Sequence, residues 1–168
     1  VAPAVAAMAV VTACTIPGPT PPIAGFRLEG AELMIVMPVC PGAVVREAEA
    51  VVRVKGEGRG DGFKTLWKAV RPKVPEARRG VFAVGSARDF ASEVMPVAGK
   101  LPNAYYVSVR FETAVHGYSG QDGEVDLSRL PSVTLGPDEY MTQRGKVMTR
   151  AQIEAQLPCG RASATPSP

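Results

Sequence analysis

His116, the one histidine in the chain, stands three residues before Ser119 in His116-Gly117-Tyr118-Ser119-Gly120, with Asp122, Glu124 and Asp126 close behind. A serine beside a histidine suggests acyl-transfer chemistry, in which the imidazole takes the hydroxyl proton as the oxygen attacks. The spacing does not meet the demands of that chemistry. A nucleophile elbow needs G-x-S-x-G, and position 121 is Gln. A histidine so near its serine on one loop also lacks the spatial separation of triad members. The segment therefore reads as a polar hairpin loop. No catalytic residue is assigned, and an envelope hydrolase built around His116 and Ser119 stands as the alternative.

Other candidate sites fail on similar grounds. Gln121 to Asp126 offers carboxylates to a hard cation, but a calcium loop needs about six to eight oxygens in a fixed register. Zinc would need ligand spacings such as C-x₂-C, and the three cysteines, Cys14, Cys40 and Cys159, are scattered. Gly56-Glu-Gly-Arg-Gly-Asp-Gly62 has the glycines of a phosphate cradle, yet an alternating strand follows where a helix should open. It reads as a hairpin tip, and its Arg59-Gly60-Asp61 tripeptide is a weak adhesion match. Trp67 and the tyrosines read as core or sheet-face residues. No cofactor and no metal are expected.

Charge excludes a further class. Lys and Arg number 19 against 16 acids, a net charge of +3, and aromatics are 6% of residues. Nucleic-acid domains show a basic stripe with interleaved aromatics, so no nucleic-acid partner is expected. The most basic stretch runs from Lys64 to Arg79 and reads as a solvated strand face and loop. Its sharper reading is a patch for an anionic envelope polymer or headgroup.

The one modification signal is Cys14. Residues 1–26 carry no charged side chain, and an apolar run from Val1 to Val11 leads into Val11-Thr12-Ala13-Cys14. That tetrapeptide resembles a lipobox, where small residues admit a peptidase and the cysteine becomes diacylated. The run falls short of the roughly 20 apolar residues that cross a membrane. The basic n-region of such signals is missing, which implies a start upstream of Val1 or an alternative start codon read as Val. Residues 1–13 are thus read as a signal peptide and 14–22, rich in proline, as a lipid-anchored spacer. Residues 160–168 are read as a disordered tail. With Cys14 lipidated, Cys40 and Cys159 remain as a disulfide pair near the two ends of a domain spanning 23–159.

The elements of that domain follow from periodicity. Apolar residues make up 46% of the chain, while Gly (17) and Pro (16) punctuate short runs, which favours many strands joined by turns. Tyr105, Val107, Val109 and Phe111 alternate with Tyr106, Ser108, Arg110 and Glu112. Phe63, Thr65, Trp67 and Ala69 are read as one face of a strand whose other face carries Lys64 and Lys68. Residues 32–40 and 80–85 suit central strands, and 44–55 is read as a strand although a helical stripe also fits. Segments 92–97 and 125–135 are weaker strand candidates. Thr149 and Gln152 form a capping box that opens one helix, expected to run through Leu157 and stop at Pro158. The expectation is an immunoglobulin-like β-sandwich of about seven or eight strands with one short C-terminal helix.

Taken together, several features are similar to those of small exported lipoproteins of GC-rich actinobacteria, a group of uncharacterised function. These are the lipobox cysteine, Val39-Cys40-Pro41-Gly42, Leu66-Trp67, Val94-Met95-Pro96-Val97, Leu101-Pro102, and Gly145 to Thr149 leading into a helix that ends near Cys159. The resemblance implies an address outside the membrane, the sandwich and the disulfide pairing, and it carries no reaction. The expected protein is an envelope-anchored, non-enzymatic domain on the outer face of the cell membrane. Its partners would be the membrane itself, through the lipid, and an envelope protein, peptide or cell-wall polymer. A structural subunit of an envelope assembly, or a secreted form, are the remaining alternatives.

Overall fold

The computed structural model describes residues 22–55, 62–114 and 117–159. Ten strands run through them: β1 Gly25–Glu29, β2 Glu32–Val36, β3 Val44–Val54, β4 Gly62–Pro72, β5 Val81–Val84, β6 Phe90–Met95, β7 Ala104–Thr113, β8 Gly117–Asp126, β9 Glu139–Thr142 and β10 Val147–Thr149. Helices α1, Pro75–Arg78, and α2, Arg150–Glu154, are short. The strands form two antiparallel sheets, ordered β10-β9-β1-β2-β5 and β6-β4-β3-β7-β8. This is the expected mainly-β sandwich with a short C-terminal helix, built from ten strands rather than seven or eight.

The core between the sheets explains the alternation. Phe26, Ile35 and Phe82 from the first sheet meet Val45, Ala48, Ala50, Trp67, Val107 and Val109 from the second. Trp67 packs on Phe82 and Phe90 with ring centroids 6.3 and 5.7 Å away, and those two phenylalanines lie 5.4 Å apart. Ala50 is the cross-strand partner of Trp67, and Ala48 that of Ala69, so small residues leave room for the indole. The indole N–H, a donor that burial would otherwise orphan, donates to Glu93 Oε1 at 2.8 Å.

Three register shifts interrupt the second sheet; one leaves Val94 as an extra residue on β6, and the other two, on β3 and β4, bear on the outer face. On β3, Val45 pairs with Phe111 and Glu47 with Arg110, so Arg46 is an extra residue. On β4, Trp67 pairs with Ala50 while Thr65 pairs with Val51, so Leu66 is the extra residue. A bulge of this kind inverts the alternation beyond it. Phe63 and Thr65, expected on the face of Trp67 and Ala69, lie instead on the opposite face.

The first sheet is covered on its outer side too. Ile153 of α2 packs with Met34, Val36, Val81, Ala83 and Tyr140 in a second apolar cluster. The helix begins as expected: the Thr149 hydroxyl accepts from the Gln152 N–H, and the Gln152 side chain accepts from the Thr149 N–H. It ends at Glu154 rather than Leu157. Gln156 turns back to bridge Ile23, accepting from its N–H at 2.9 Å and donating to its carbonyl at 2.8 Å, while also donating to the Ile153 carbonyl at 3.0 Å. Gly25 is the price of this close docking, since a Cβ there would lie 2.3 Å from Ile153 Cδ1 and 2.7 Å from Tyr140 Cβ. Cys40 and Cys159 stand at bonding distance, with sulfurs 2.02 Å and Cα atoms 5.4 Å apart. Ile23, Cys40 and Cys159 therefore share one end of the sandwich, and the β1–β2 turn and the start of β7 mark the other.

Candidate functional site on the outer face of the second sheet

No described helix covers the outer side of β6-β4-β3-β7-β8, and there the cross-strand registers set chemically distinct residues in rows. Lys68 of β4 pairs with Glu49 of β3, which pairs with Ser108 of β7, which pairs with Asp122 of β8. The next row toward the far end reads Thr65, Val51, Tyr106 and Glu124. Beyond it, Phe63 pairs with Arg53.

The far end of this face is aromatic. Phe63 is 61% exposed, and its ring meets Tyr106 edge to face, with centroids 5.9 Å apart and planes at 89°. The Arg53 guanidinium lies 5.9 Å from the Phe63 centroid, within cation–π range. An exposed aromatic held on two sides presents a flat apolar surface with little entropy left to lose. The middle of the face is polar: the Ser108 hydroxyl donates to Asp122 Oδ1. At the other end, Glu47 Oε1 accepts from Lys68 Nζ at 2.7 Å and lies 3.9 Å from Arg110 Nε.

These residues enclose a trough. A hollow of about 320 Å³ lies among Val51, Phe63, Tyr106, Glu49, Ser108 and Asp122. A smaller one of about 190 Å³ shares Glu49, Ser108 and Asp122 with it and continues past Glu47, Arg110 and Gly120. Gly120 has no side chain, so the trough stays open between Arg110 and the β8 edge.

Among the described residues, those singled out from the sequence do not gather into one cluster. Ser119 lies exposed on β8 opposite Phe111, with no hydrogen bond to an acid or base among the described residues. The segment expected to be a hairpin loop is instead this edge strand, ten residues long and paired throughout with β7. His116, Cys14, the leader 1–13, the spacer up to residue 21, glycine-run residues 56–61 and the tail 160–168 lie outside the described residues. Asp126 pairs with Arg129, whose Nε lies 3.3 Å from its Oδ2. It caps a 3₁₀ turn, Leu127–Ser132, and the Ser128 hydroxyl and N–H hold its carboxyl below the ordinary carboxylate range. Among the described residues no three His, Cys, Asp or Glu side chains gather as a metal site, and no helix is long and apolar enough to cross a membrane. Half of the six basic side chains in the basic stretch are engaged internally: Lys68 with Glu47, Arg79 with Glu76, and Arg78 with the Pro72 carbonyl.

The outward set Tyr106, Ser108 and Arg110 was visible in the alternation. Phe63 was not, because its exposure depends on the Leu66 bulge, which leaves no local mark in the sequence. Comparison with protein-family models, with curated proteins and with solved structures yields no match.

Proposed function

We propose that this is a non-catalytic binding domain of the cell envelope, carried on a lipid at Cys14, whose ligand is a cell-wall glycan lying along the trough of the second sheet. The observation that carries the reading is Phe63, exposed at the head of the trough and held edge-on by Tyr106. Sugar rings present apolar C–H faces that stack on such a ring, and hydroxyl rims that hydrogen-bond to carboxylates and alcohols. Glu49, Asp122 and Ser108 supply those groups in the same hollow, one row further along the sheet than Tyr106. Hydrogen bonds to charged groups contribute about 1.5–3 kcal/mol each, and a few of them orient a ligand that the aromatic surface retains. An open, elongated trough suits a polymer better than a small molecule, since a chain can enter and leave at both ends. The lipobox and the resemblance to exported lipoproteins support the address.

The test is co-sedimentation of the full chain with insoluble cell-wall glycan. Phe63→Ala removes an exposed side chain, so the fold is expected to persist while glycan affinity falls about tenfold, equal to about 1.4 kcal/mol. Equal retention of wild type and variant would overturn the reading. Release of soluble fragments that disappears in Ser119→Ala would instead favour the hydrolase alternative. The address has its own test in the intact mass of membrane-extracted protein: a chain starting at Cys14 with diacylglycerol is expected, and an unmodified Cys14 would refute the anchor.

A further inference from the structure

At the far end of the sandwich the two sheets part around a second cleft, of about 640 Å³, that shares no residue with the trough. Its volume falls in the range of about 300–1,000 Å³ typical of small-molecule sites. Leu28 and Leu33 of the β1–β2 hairpin form one wall with Val84, and Val97, Leu101 and Leu127 form the other. Leu28 is 51% exposed at the rim, an apolar side chain left uncovered beside an apolar hollow.

Ser86 and Asn103 are neutral polar groups of the cleft, and its charged groups are unequal. Glu32 is neutralised by Arg88, whose guanidinium pairs with it. Lys100 borders the cleft and makes no ion pair among the described residues. Lys64, in an adjoining hollow that shares Val97, Lys100 and Leu101, makes none either, so the rim is positive. Tyr105 also borders the cleft; it is 2% exposed, and its hydroxyl has no hydrogen-bond partner among the described residues. Burial raises its ionisation well above the ordinary range, so it stays a neutral donor. An apolar cleft with one uncompensated cation and one orphaned donor is complementary to an alkyl chain ending in an acid.

We propose that this cleft binds one soluble amphiphile, a single alkyl chain with a carboxylate head, its tail between Leu33 and Leu101 and its head held by Lys100 and the Tyr105 hydroxyl. The chain supplies the apolar contacts, and the head supplies the charge and the acceptor that the cleft lacks.

The experiment is calorimetric titration of the full chain, carrying Cys14→Ser so that no lipid of its own competes, with octanoate, decanoate and dodecanoate below their micelle concentrations. One saturable site is expected, with affinity rising about fourfold per added methylene. Lys100→Glu alters an exposed side chain and is expected to weaken dodecanoate at least tenfold while leaving dodecanol unchanged. Tyr105→Phe is expected to weaken dodecanoate severalfold without unfolding the protein. Phe63→Ala should leave all of this intact, which separates the cleft from the glycan trough. Absence of saturable dodecanoate binding would overturn the proposal, as would indifference to Lys100→Glu or association only with anionic-lipid vesicles.

Discussion

Removing the Cys40–Cys159 pair should cost this protein a large share of its stability. The two residues are 119 apart in sequence and span nearly all of the described fold. Cys40 sits on the crossover from β2 to β3, and Cys159 follows α2. Their bond thus ties the helix and the β9–β10 hairpin to the hinge between the sheets. In the chain-entropy model, a loop of this length stabilises the fold by about 5 kcal/mol at 25 °C, by restricting the unfolded chain. Total stabilities of single domains are about 5–15 kcal/mol. The comparison is best made by urea unfolding of the Cys14→Ser chain against the same chain with Cys40→Ser and Cys159→Ser. With a slope of about 1–3 kcal/mol per molar urea, the midpoint should fall by about 2–5 M. Both cysteines are half-buried, so lost packing adds little. A midpoint shift under about 0.5 M would refute the reasoning, provided the parent gains two hydrogens in mass on reduction.

Two further outcomes follow from local geometry. Gly25→Ala places a methyl group 2.3 Å from Ile153 Cδ1 and 2.7 Å from Tyr140 Cβ, and α2 must shift to admit it. A loss of about 1–3 kcal/mol is expected by thermal or urea unfolding, and an unchanged midpoint would disprove the docking. Asp126 is held in its charged form first by the Ser128 hydroxyl and then by the Ser128 N–H. Its folded pKa lies below its unfolded one, so the stability it contributes is present above about pH 4 and is lost as pH falls through the folded value. Carboxyl carbon chemical shifts followed against pH should show Asp126 titrating below the ordinary Asp value and moving upward in Ser128→Ala; no movement would contradict the cap.

What could be read from the sequence was whatever has a local signature. The period-two stripe of Tyr105 to Phe111 is β7, the apolar runs became β2 and β5, and the capping box of Thr149 and Gln152 opens α2 where its side chains dictate. The mixed signal in 44–55 resolved as β3, because Ala48 and Ala50 point into the core beside Trp67 of the neighbouring strand. What was hidden depends on partners distant in sequence. β8 reads Gly-Tyr-Ser-Gly-Gln-Asp-Gly-Glu before its first aliphatic residue, so side-chain pattern cannot reveal it. It is a strand because β7 offers a full backbone edge, and because Gly123 fits where a Cβ would come within 2.4 Å of Ala24 Cβ. β9 and β10 are four and three residues long, too short for any periodicity. The bulges at Arg46 and Leu66 are likewise settled by pairing, and the second of them is what turns Phe63 outward.

The placement of both ends of the described chain at one end of the sandwich has a mechanical consequence. β1 is the middle strand of its sheet, flanked by β9 and β2. A pull on the segment entering at Ile23, directed along the strand axis, would load the hydrogen bonds on both sides of β1 in shear, all of them together rather than one after another. Gln156 grips Ile23 through two hydrogen bonds, and the Cys40–Cys159 pair lies beside it, so tension at that point would spread into α2 and both sheets. A body tethered there and gripped at its opposite end behaves as a stiff link in a chain under load.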